Sequence, residues 1–167
     1  MFKVGDLLVR FGKILKVAAV KTDSTELLPF FNSKSSNGLT YSVQNQNLEN
    51  SHVRRLVTRE KLKQLLELIL IKNSVAVAIN VTETKTTLST NQLAESLQLI
   101  KDLWLEKQNH AGFLPGGRLS LYQQALSQAS EEIAAVKGII PDQAKLLVLS
   151  TLKQGQKHVP EPTAALL

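Results

Sequence analysis

The hydrophobic positions of this chain follow two different periods, and the change comes near residue 58. Before it, apolar residues occur in short runs between turn residues. Leu39, Tyr41 and Val43 alternate with Thr40 and Ser42, the period of two that is typical of a half-buried strand. After it, apolar residues recur every three or four positions, as in an amphipathic helix. The pattern predicts an α+β protein in which strands come first and helices follow.

Two strands are predicted near the start of the chain. Residues 7–9 and 14–20 are apolar and rich in β-forming side chains, and Gly12 lies between them in a turn. Both alternating sets of side chains in the second run are mainly apolar, which is typical of a strand buried on both faces. Residues 21–26 are predicted as a polar connection.

The following strands flank a turn. Residues 27–31 predict a third strand, which Pro29 puts at an edge or breaks, because proline donates no hydrogen bond to a neighbouring strand. Asn37-Gly38 is the strongest hairpin signal in the chain and precedes the alternating run 39–43. That run is either an exposed edge, to which a partner could add a strand, or a strand paired on both sides. Several short strands with tight turns predict a small barrel.

Helical periodicity begins after Thr58, the predicted N-cap of a first helix with an acidic residue in its first turn. Residues 75–88 fit neither period, because a short β-branched run is followed by a threonine-rich one. Ser89 or Thr90 is the predicted cap of a second helix. The apolar face of that helix consists of Leu93, Leu97, Ile100 and Trp104, and we predict that the tryptophan belongs to the core.

Two more helices are predicted in the last third of the chain. One covers residues 119–137 and ends at Gly138, a residue suited to the left-handed conformation that follows many helices. The other restarts at Pro141, since proline is tolerated in a first turn. Their predicted apolar faces are Leu119, Tyr122, Leu126, Ala129 and Ile133 in the first, and Leu146, Leu147, Leu149 and Leu152 in the second.

The pattern divides the chain into a small β-barrel domain at residues 1–57, an all-α domain at 58–155 and a flexible tail at 156–167. Hydrophobic residues make up 43% and charged residues 20%, as in globular proteins and unlike disordered ones. No apolar run approaches the roughly 18 residues of a membrane-spanning helix, and the start lacks the apolar core of a signal peptide. We therefore predict a cytoplasmic protein with no membrane partner.

The positive net charge of the chain is compatible with a polyanionic partner but does not require one. The formal net charge is +6, which is typical either of a protein drawn to nucleic acid or of a merely basic globular protein. The first 57 residues carry eight cationic and four acidic side chains, and there is no basic tail. The densest basic patch consists of Arg54, Arg55, Arg59, Lys61 and Lys63.

Catalytic groups are not evident in the sequence. There is no cysteine, which excludes disulfides, thiol nucleophiles and zinc-cysteine sites. The three histidines, His52, His110 and His158, are far apart in predicted loops. Glu131 and Glu132 are neighbours on a helix, cannot face one another and are predicted to lie on a solvated face. We predict a protein that is not an enzyme and holds no metal or cofactor.

A glycine-rich turn is the best candidate for binding an anion. Gly116 and Gly117 directly precede Arg118, which begins a predicted helix. Backbone N–H groups at a helix N-terminus and a cationic side chain then point the same way, which suits a phosphate oxygen. The alternative is an arginine at the start of an ordinary surface helix.

Four segments keep an order and spacing that resemble a known family. They are residues 2–6 (Phe-Lys-Val-Gly-Asp), 38–57 with Gly-Leu-Thr-Tyr-Ser-Val and Val-Arg-Arg-Leu-Val at its ends, 100–104 (Ile-Lys-Asp-Leu-Trp), and 112–142 with its two glycine turns. They are similar to the opening strand, the last barrel strands, the Val-Arg-Asp-Leu helix and the glycine turns of the CarD/CdnL bacterial transcription regulators. The resemblance spans about residues 2–153.

This resemblance implies a Tudor-like barrel that docks on the β subunit of bacterial RNA polymerase, largely by adding a strand. It also implies a helical domain that contacts promoter DNA through phosphates and stabilises the open complex. Carried over by position, Arg118 with Gly116 and Gly117 is the DNA-contacting turn. The docking strand consists of Leu39, Thr40, Tyr41, Ser42 and Val43. Through the polymerase, the protein would associate with the nucleoid.

The chain departs from the family in four places. The family has an arginine where Ser42 stands and a proline where Gln44 stands. Its basic, tryptophan-containing wedge corresponds to residues 77–82, which read Val-Ala-Ile-Asn-Val-Thr, and Glu106 stands at a basic position. The alternative function is therefore a protein-interaction module of the same fold that has lost DNA binding.

Overall fold

The structure is a computed structural model, and it describes residues 2–31, 39–48, 52–70, 80, 85–86, 88–89 and 91–156. Several predictions lie outside these residues: the Asn37-Gly38 turn, most of the segment 75–88, the cap at Thr90, the loop of His158, and the tail beyond Gln156. Within them the protein is α+β, with strands before helices as the sequence predicts.

The strands form one curled antiparallel sheet in the order β4-β3-β2-β1-β5. The five strands are β1 (Leu7–Arg10), β2 (Lys13–Val20), β3 (Ser24–Pro29), β4 (Tyr41–Gln44) and β5 (Val53–Arg55). The first four follow one another as a meander, and β5 returns to pair with β1. The concave face encloses a small core of Leu8, Leu15, Val17, Leu27, Val43 and Leu48.

The third strand differs from its prediction. β3 begins at Ser24 inside the predicted polar connection, and it lies between β2 and β4 instead of at an edge. Pro29 is its last residue, where a missing N–H interrupts no further pairing. The strand starts early because the N–H of Lys21 donates to the carbonyl of Ser24, closing a tight turn, and Thr25 is buried on the inner face.

The second strand is buried on both faces in its first half, as predicted. Leu15 and Val17 face the sheet core, while Ile14 and Val9, which are paired across β1 and β2, are buried on the opposite face. In the second half Val20 is exposed, so the double burial is local. The outer face near Ile14 packs against the third helix, which places the helical part on the convex side of the sheet.

The helices described after the sheet are α1 (Arg59–Leu70), α2 (Leu93–Asn109), α3 (Arg118–Lys137) and α4 (Pro141–Gln156). Thr58 caps α1, since its Oγ1 accepts from the N–H of Lys61 at 3.2 Å, as predicted. Gly138 ends α3 with φ +70°, also as predicted. The predicted cap of α2 at Ser89 or Thr90 is wrong. The N-cap residue is Gln92, and its side chain makes no capping hydrogen bond.

The helices share a second core, to which each contributes. The predicted stripe of α2, including Trp104, is buried in it. The predicted face of α4 is partly wrong: Leu146 is 67% exposed, and Ala144, Val148 and Leu152 form the buried stripe. Those residues recur four apart, whereas the adjacent leucines 146, 147 and 149 cannot all point to one side of a helix.

A buried ion pair joins the sheet to the helical core. The guanidinium of Arg54 on β5 donates to both carboxylate oxygens of Glu132 on α3, at 2.7 and 2.6 Å. The same carboxylate accepts from the N–H of Val57 at 3.1 Å. The side chain of Glu132 is only 3% exposed. The prediction that Glu132 lies on a solvated face is therefore wrong. Arg54 of β5 packs against this side of α3 and buries the carboxylate.

Asn91 connects the Arg54–Glu132 contact between the sheet and the helices, here called the joint, to the turn between β1 and β2. Its side-chain oxygen accepts from the N–H of Gly12 at 2.7 Å, its amide donates to the carbonyl of His52 at 3.2 Å, and its own carbonyl accepts from Arg54. Gly12 has φ +73°, and a Cβ there would lie 2.3 Å from the side chain of Gln128 on α3. The turn, β5 and α3 are thus held against one another through buried polar contacts.

No described helix is both long enough and apolar enough to cross a membrane.

We expect Glu132→Gln to lower the free energy of unfolding by about 3 kcal/mol, because it leaves the buried guanidinium of Arg54 without a counter-charge. Glu131→Gln is the matched control. Glu131 pairs with Lys13, whose side chain is 64% exposed, and its loss is expected to cost less than about 1 kcal/mol. Urea unfolding of both variants measures the difference. Equal losses would show that the Arg54 pair is not what holds the joint.

Candidate docking edge and phosphate-binding turn

The predicted docking strand lies at an edge of the sheet. Within the described residues β4 pairs with β3 and has no neighbour on its other side. Of the two alternatives for this strand, an exposed edge and a strand paired on both sides, the structure shows the edge. Leu39 and Thr40 precede β4, and Tyr41, Ser42 and Val43 belong to it.

The backbone groups that face outward can be assigned from the register. Asn45 donates its N–H to the carbonyl of Asp23 at 2.9 Å. Hydrogen-bonded and non-hydrogen-bonded pairs alternate along an antiparallel ladder. Val43 and Tyr41 therefore share hydrogen bonds with β3, while Ser42 and Gln44 direct their N–H and C=O groups away from it. These outward groups are those that an added strand would pair with.

The side chains of this edge carry no charge. From Leu39 to Asn47 there is no Lys, Arg, Asp or Glu and no proline, the residues that commonly protect edges against pairing. The opposite edge is different, since β5 is only three residues long and two of them are arginines. Among the described residues, β4 is thus the longer and the less charged of the two edge strands.

The apolar face of β4 is only partly buried. Val43 is 6% exposed and belongs to the sheet core, whereas Tyr41 is 40% and Leu39 48% exposed. Tyr41 pairs with Leu27 and so lies on the same concave face as Val43. The strand extends past the core, and its leading end presents two large apolar side chains beside the open edge.

Asn45 fixes the far end of β4, and the sequence patterns did not identify it. Its amide donates to the carbonyls of Lys21 and Thr22 at 2.9 and 3.0 Å, and its Oδ1 accepts from Thr25 at 2.8 Å. One polar side chain thereby ties β4 to the turn between β2 and β3. A polar residue after an alternating run is a common loop feature, so the sequence carried no specific signal for this role.

The Gly116–Arg118 turn has the backbone form that a helix start requires. Gly116 has φ +58°, and Gly117 is the N-cap of α3, without a side-chain cap. The N–H of Arg118 makes a long contact with the carbonyl of Pro115 at 3.4 Å, and the carbonyl of Gly117 accepts from Leu121 at 3.1 Å. The glycines and the arginine are therefore brought together as predicted, at the start of a 20-residue helix.

The charge of Arg118 is balanced within the protein. Its Nη1 lies 3.0 Å from Oε1 of Glu106, near the end of α2, and the side chains are 30% and 16% exposed. This pair ties the start of α3 to the end of α2. An arginine held by a half-buried carboxylate attracts phosphate less than a solvated arginine does, because the carboxylate repels the same anion.

The basic patch after the sheet is also largely engaged. Arg54 is buried against Glu132, Arg55 lies 3.4 Å from Asp6, and the Nε of Arg59 donates to the carbonyl of Val136. Of these three arginines, Arg54 attaches the sheet to α3, Arg55 contacts the residue before β1, and Arg59 connects α1 to the end of α3.

Three described groups have a shifted pKa, and none belongs to the docking edge or the glycine turn. Burial raises the pKa of Asp102, against a hydrogen bond from Gln98, and burial likewise raises the pKa of Tyr122. A backbone hydrogen bond at its own N–H and the side chain of Thr58 lower the pKa of Glu60. No group of three or more potential metal ligands occurs among the described residues.

No protein-family model matches the chain, and no curated protein is significantly similar to it.

We expect Arg118→Ala and Glu106→Gln to change duplex DNA binding in opposite directions if the glycine turn contacts a phosphate. Removing the arginine should weaken binding and reduce the slope of log affinity against log salt by about one. Removing the carboxylate should free the guanidinium and strengthen binding. Fluorescence anisotropy over a salt series measures both. Two unchanged slopes would contradict a role for this turn in DNA binding.

Proposed function

We propose that the protein is a non-enzymatic bacterial transcription regulator that docks on the β subunit of RNA polymerase by adding a strand to the open edge of β4. The observation that carries the proposal is that edge, which is uncharged and has outward backbone groups at Ser42 and Gln44. The choice of RNA polymerase as the partner rests on the resemblance to the CarD/CdnL regulators. Such docking would bring the protein to the nucleoid.

The sheet topology supports the Tudor-like interpretation of the first domain. A curled meander of four strands, with a short fifth strand returned beside the first, is the arrangement expected of a small open barrel. The fourth strand of that meander is the one that the resemblance assigns to docking. In this arrangement no described strand pairs with its outer edge, since β5 pairs at the opposite end of the sheet.

Strand addition is energetically reasonable at this edge. Each new backbone hydrogen bond contributes about 0.5–1.5 kcal/mol net, so a few of them give a modest affinity. Tyr41 and Leu39 add apolar area that is now exposed to water. The backbone bonds would provide affinity and these two side chains would provide specificity, as in other complexes formed by β-augmentation.

A second candidate function is favoured by the pairing of Arg118 with Glu106. If the glycine turn serves only to attach α3 to α2, the protein is an interaction module of the same fold without DNA binding. The ion pairs of Arg54 and Arg55 within the protein also favour a function without DNA binding. In the leading proposal, DNA contact is phosphate-dominated and weak, and it depends on the polymerase to hold the protein near the promoter.

We expect Ser42→Pro to abolish retention by purified RNA polymerase β subunit while leaving the fold intact. Proline removes the outward N–H of Ser42 and obstructs an incoming strand, but it breaks no bond to β3. Ser42→Thr is the matched control, because it keeps the N–H and should be retained like the natural protein. Low-salt pulldown measures retention, and circular dichroism checks the fold.

Absence of retention of the natural protein at low salt would overturn the docking proposal. Equal retention of Ser42→Pro and Ser42→Thr would show that the β4 edge is not the contact.

A further inference from the structure

A long groove runs over α3, between α4 and the end of α2. Its volume is about 530 Å³. On α3 the lining residues lie between positions 119 and 131 and recur three and four apart, and on α4 they extend from Pro141 to Lys153. Twelve residues of α-helix correspond to a length of about 18 Å. The groove is therefore as long as three turns of a helix, and both main walls are helices.

The floor of the groove is apolar. Trp104 and Leu126 are buried beneath it, and Leu149 is half-buried on the α4 wall. Leu119, which the sequence pattern assigns to a core face, is 43% exposed at one end. An exposed leucine at the end of an apolar strip enlarges the area that a partner could bury.

A buried hydroxyl lies beneath this groove. Ser130 is 3% exposed and lines the groove, and its Oγ has no hydrogen-bond partner among the described residues. Buried hydroxyls are nearly always satisfied, because an unpaired one costs free energy. Because this oxygen is closed off from solvent, a partner in the groove could reach it only after a side-chain rearrangement.

The cations at the rim have a regular spacing. Lys145 and Lys153 are exposed on α4, about 12 Å apart along the helix, with Leu149 midway between them. Neither forms an ion pair with a described residue. On the other side the ammonium of Lys107 lies 5.8 Å from the ring centroid of Tyr122.

The acids of the groove do not neutralise these lysines. Glu131 is bound to Lys13 at 2.5 Å. Asp142 lies in the first turn of α4, where a carboxylate interacts favourably with the helix N-terminus. Among the described residues, Lys145 and Lys153 are left without a carboxylate partner on one side of the apolar floor, and Lys107 lies over Tyr122 on the other side.

We propose that this groove docks an acidic amphipathic helix of a partner protein. Its apolar stripe packs on the floor, and carboxylates about two turns apart pair with Lys145 and Lys153. The length of the groove fits a helix, and the charge of its rim fits acidic side chains. Duplex DNA fits less well, because phosphates would leave the apolar floor uncovered.

A synthetic helix tests the proposal on the full-length protein. The probe is a fluorescein-labelled peptide of Ala, Leu and Glu with one leucine stripe and flanking glutamates seven positions apart. Its control has lysines in place of the glutamates. Anisotropy of the labelled peptide gives the affinity. Emission of Trp104, the only tryptophan of the chain, reports contact at the groove with unlabelled peptide.

We expect the acidic peptide to bind, to shift the emission of Trp104, and to bind at least tenfold more weakly to the double variant Lys145→Glu, Lys153→Glu, since each reversed charge replaces an attraction by a repulsion. The matched control is Lys16→Glu with Lys61→Glu. It changes the net charge equally at exposed lysines outside the groove and should bind like the natural protein.

Any of three results would overturn the proposal. They are no binding of the acidic peptide, equal binding of the lysine peptide, and equal losses in the groove and control variants. Binding of duplex DNA that depends on Lys145 and Lys153, with no binding of the peptide, would assign the groove to nucleic acid instead.

Discussion

The buried pair of Arg54 and Glu132 is the contact on which the arrangement of the whole protein depends. The sheet and the helices each have their own hydrophobic core, and the sheet contacts the helices mainly where β2 packs on α3 and where Arg54 of β5 pairs with Glu132. A buried carboxylate is stable only when its charge is compensated and its oxygen lone pairs accept hydrogen bonds. Glu132 has both, from Arg54 and from the N–H of Val57. The pair therefore fixes one orientation of the sheet on the helices.

That orientation explains why the candidate sites are separate. The convex face of the sheet at β1, β2 and β5 is used for the joint, so β4, at the far end of the strand order, remains available to a partner. Cations near the joint are used for assembly, and Arg118 is used to attach α3 to α2. Lys145 and Lys153, which form no ion pair with a described residue, lie on the helical side. The protein thus presents an uncharged edge and a basic-rimmed groove on different elements.

Much of the fold could be predicted because periodicity and capping are local properties. The first two strands, the stripe of α2, the Thr58 cap and the Gly138 terminus follow from neighbours within a few residues. The errors come where a distant contact decided the outcome. Ser24–Glu26 joined a strand because β2 and β4 were on both sides, and Leu146 turned outward because α4 offered Ala144 and Val148 to the core.

The sequence by itself determined the order of strands and helices, the position of the alternating strand and the glycine turn before Arg118. Only the tertiary structure decided what these features contact. Glu131 and Glu132 are identical neighbours, yet one has an exposed lysine as partner and the other is buried against an arginine 78 residues away. Likewise, only the strand order shows that β4 is an edge strand among the described residues. Local spacing fixes which side of an element a residue occupies, whereas its charge partner is set by a chain segment that can be anywhere in the sequence.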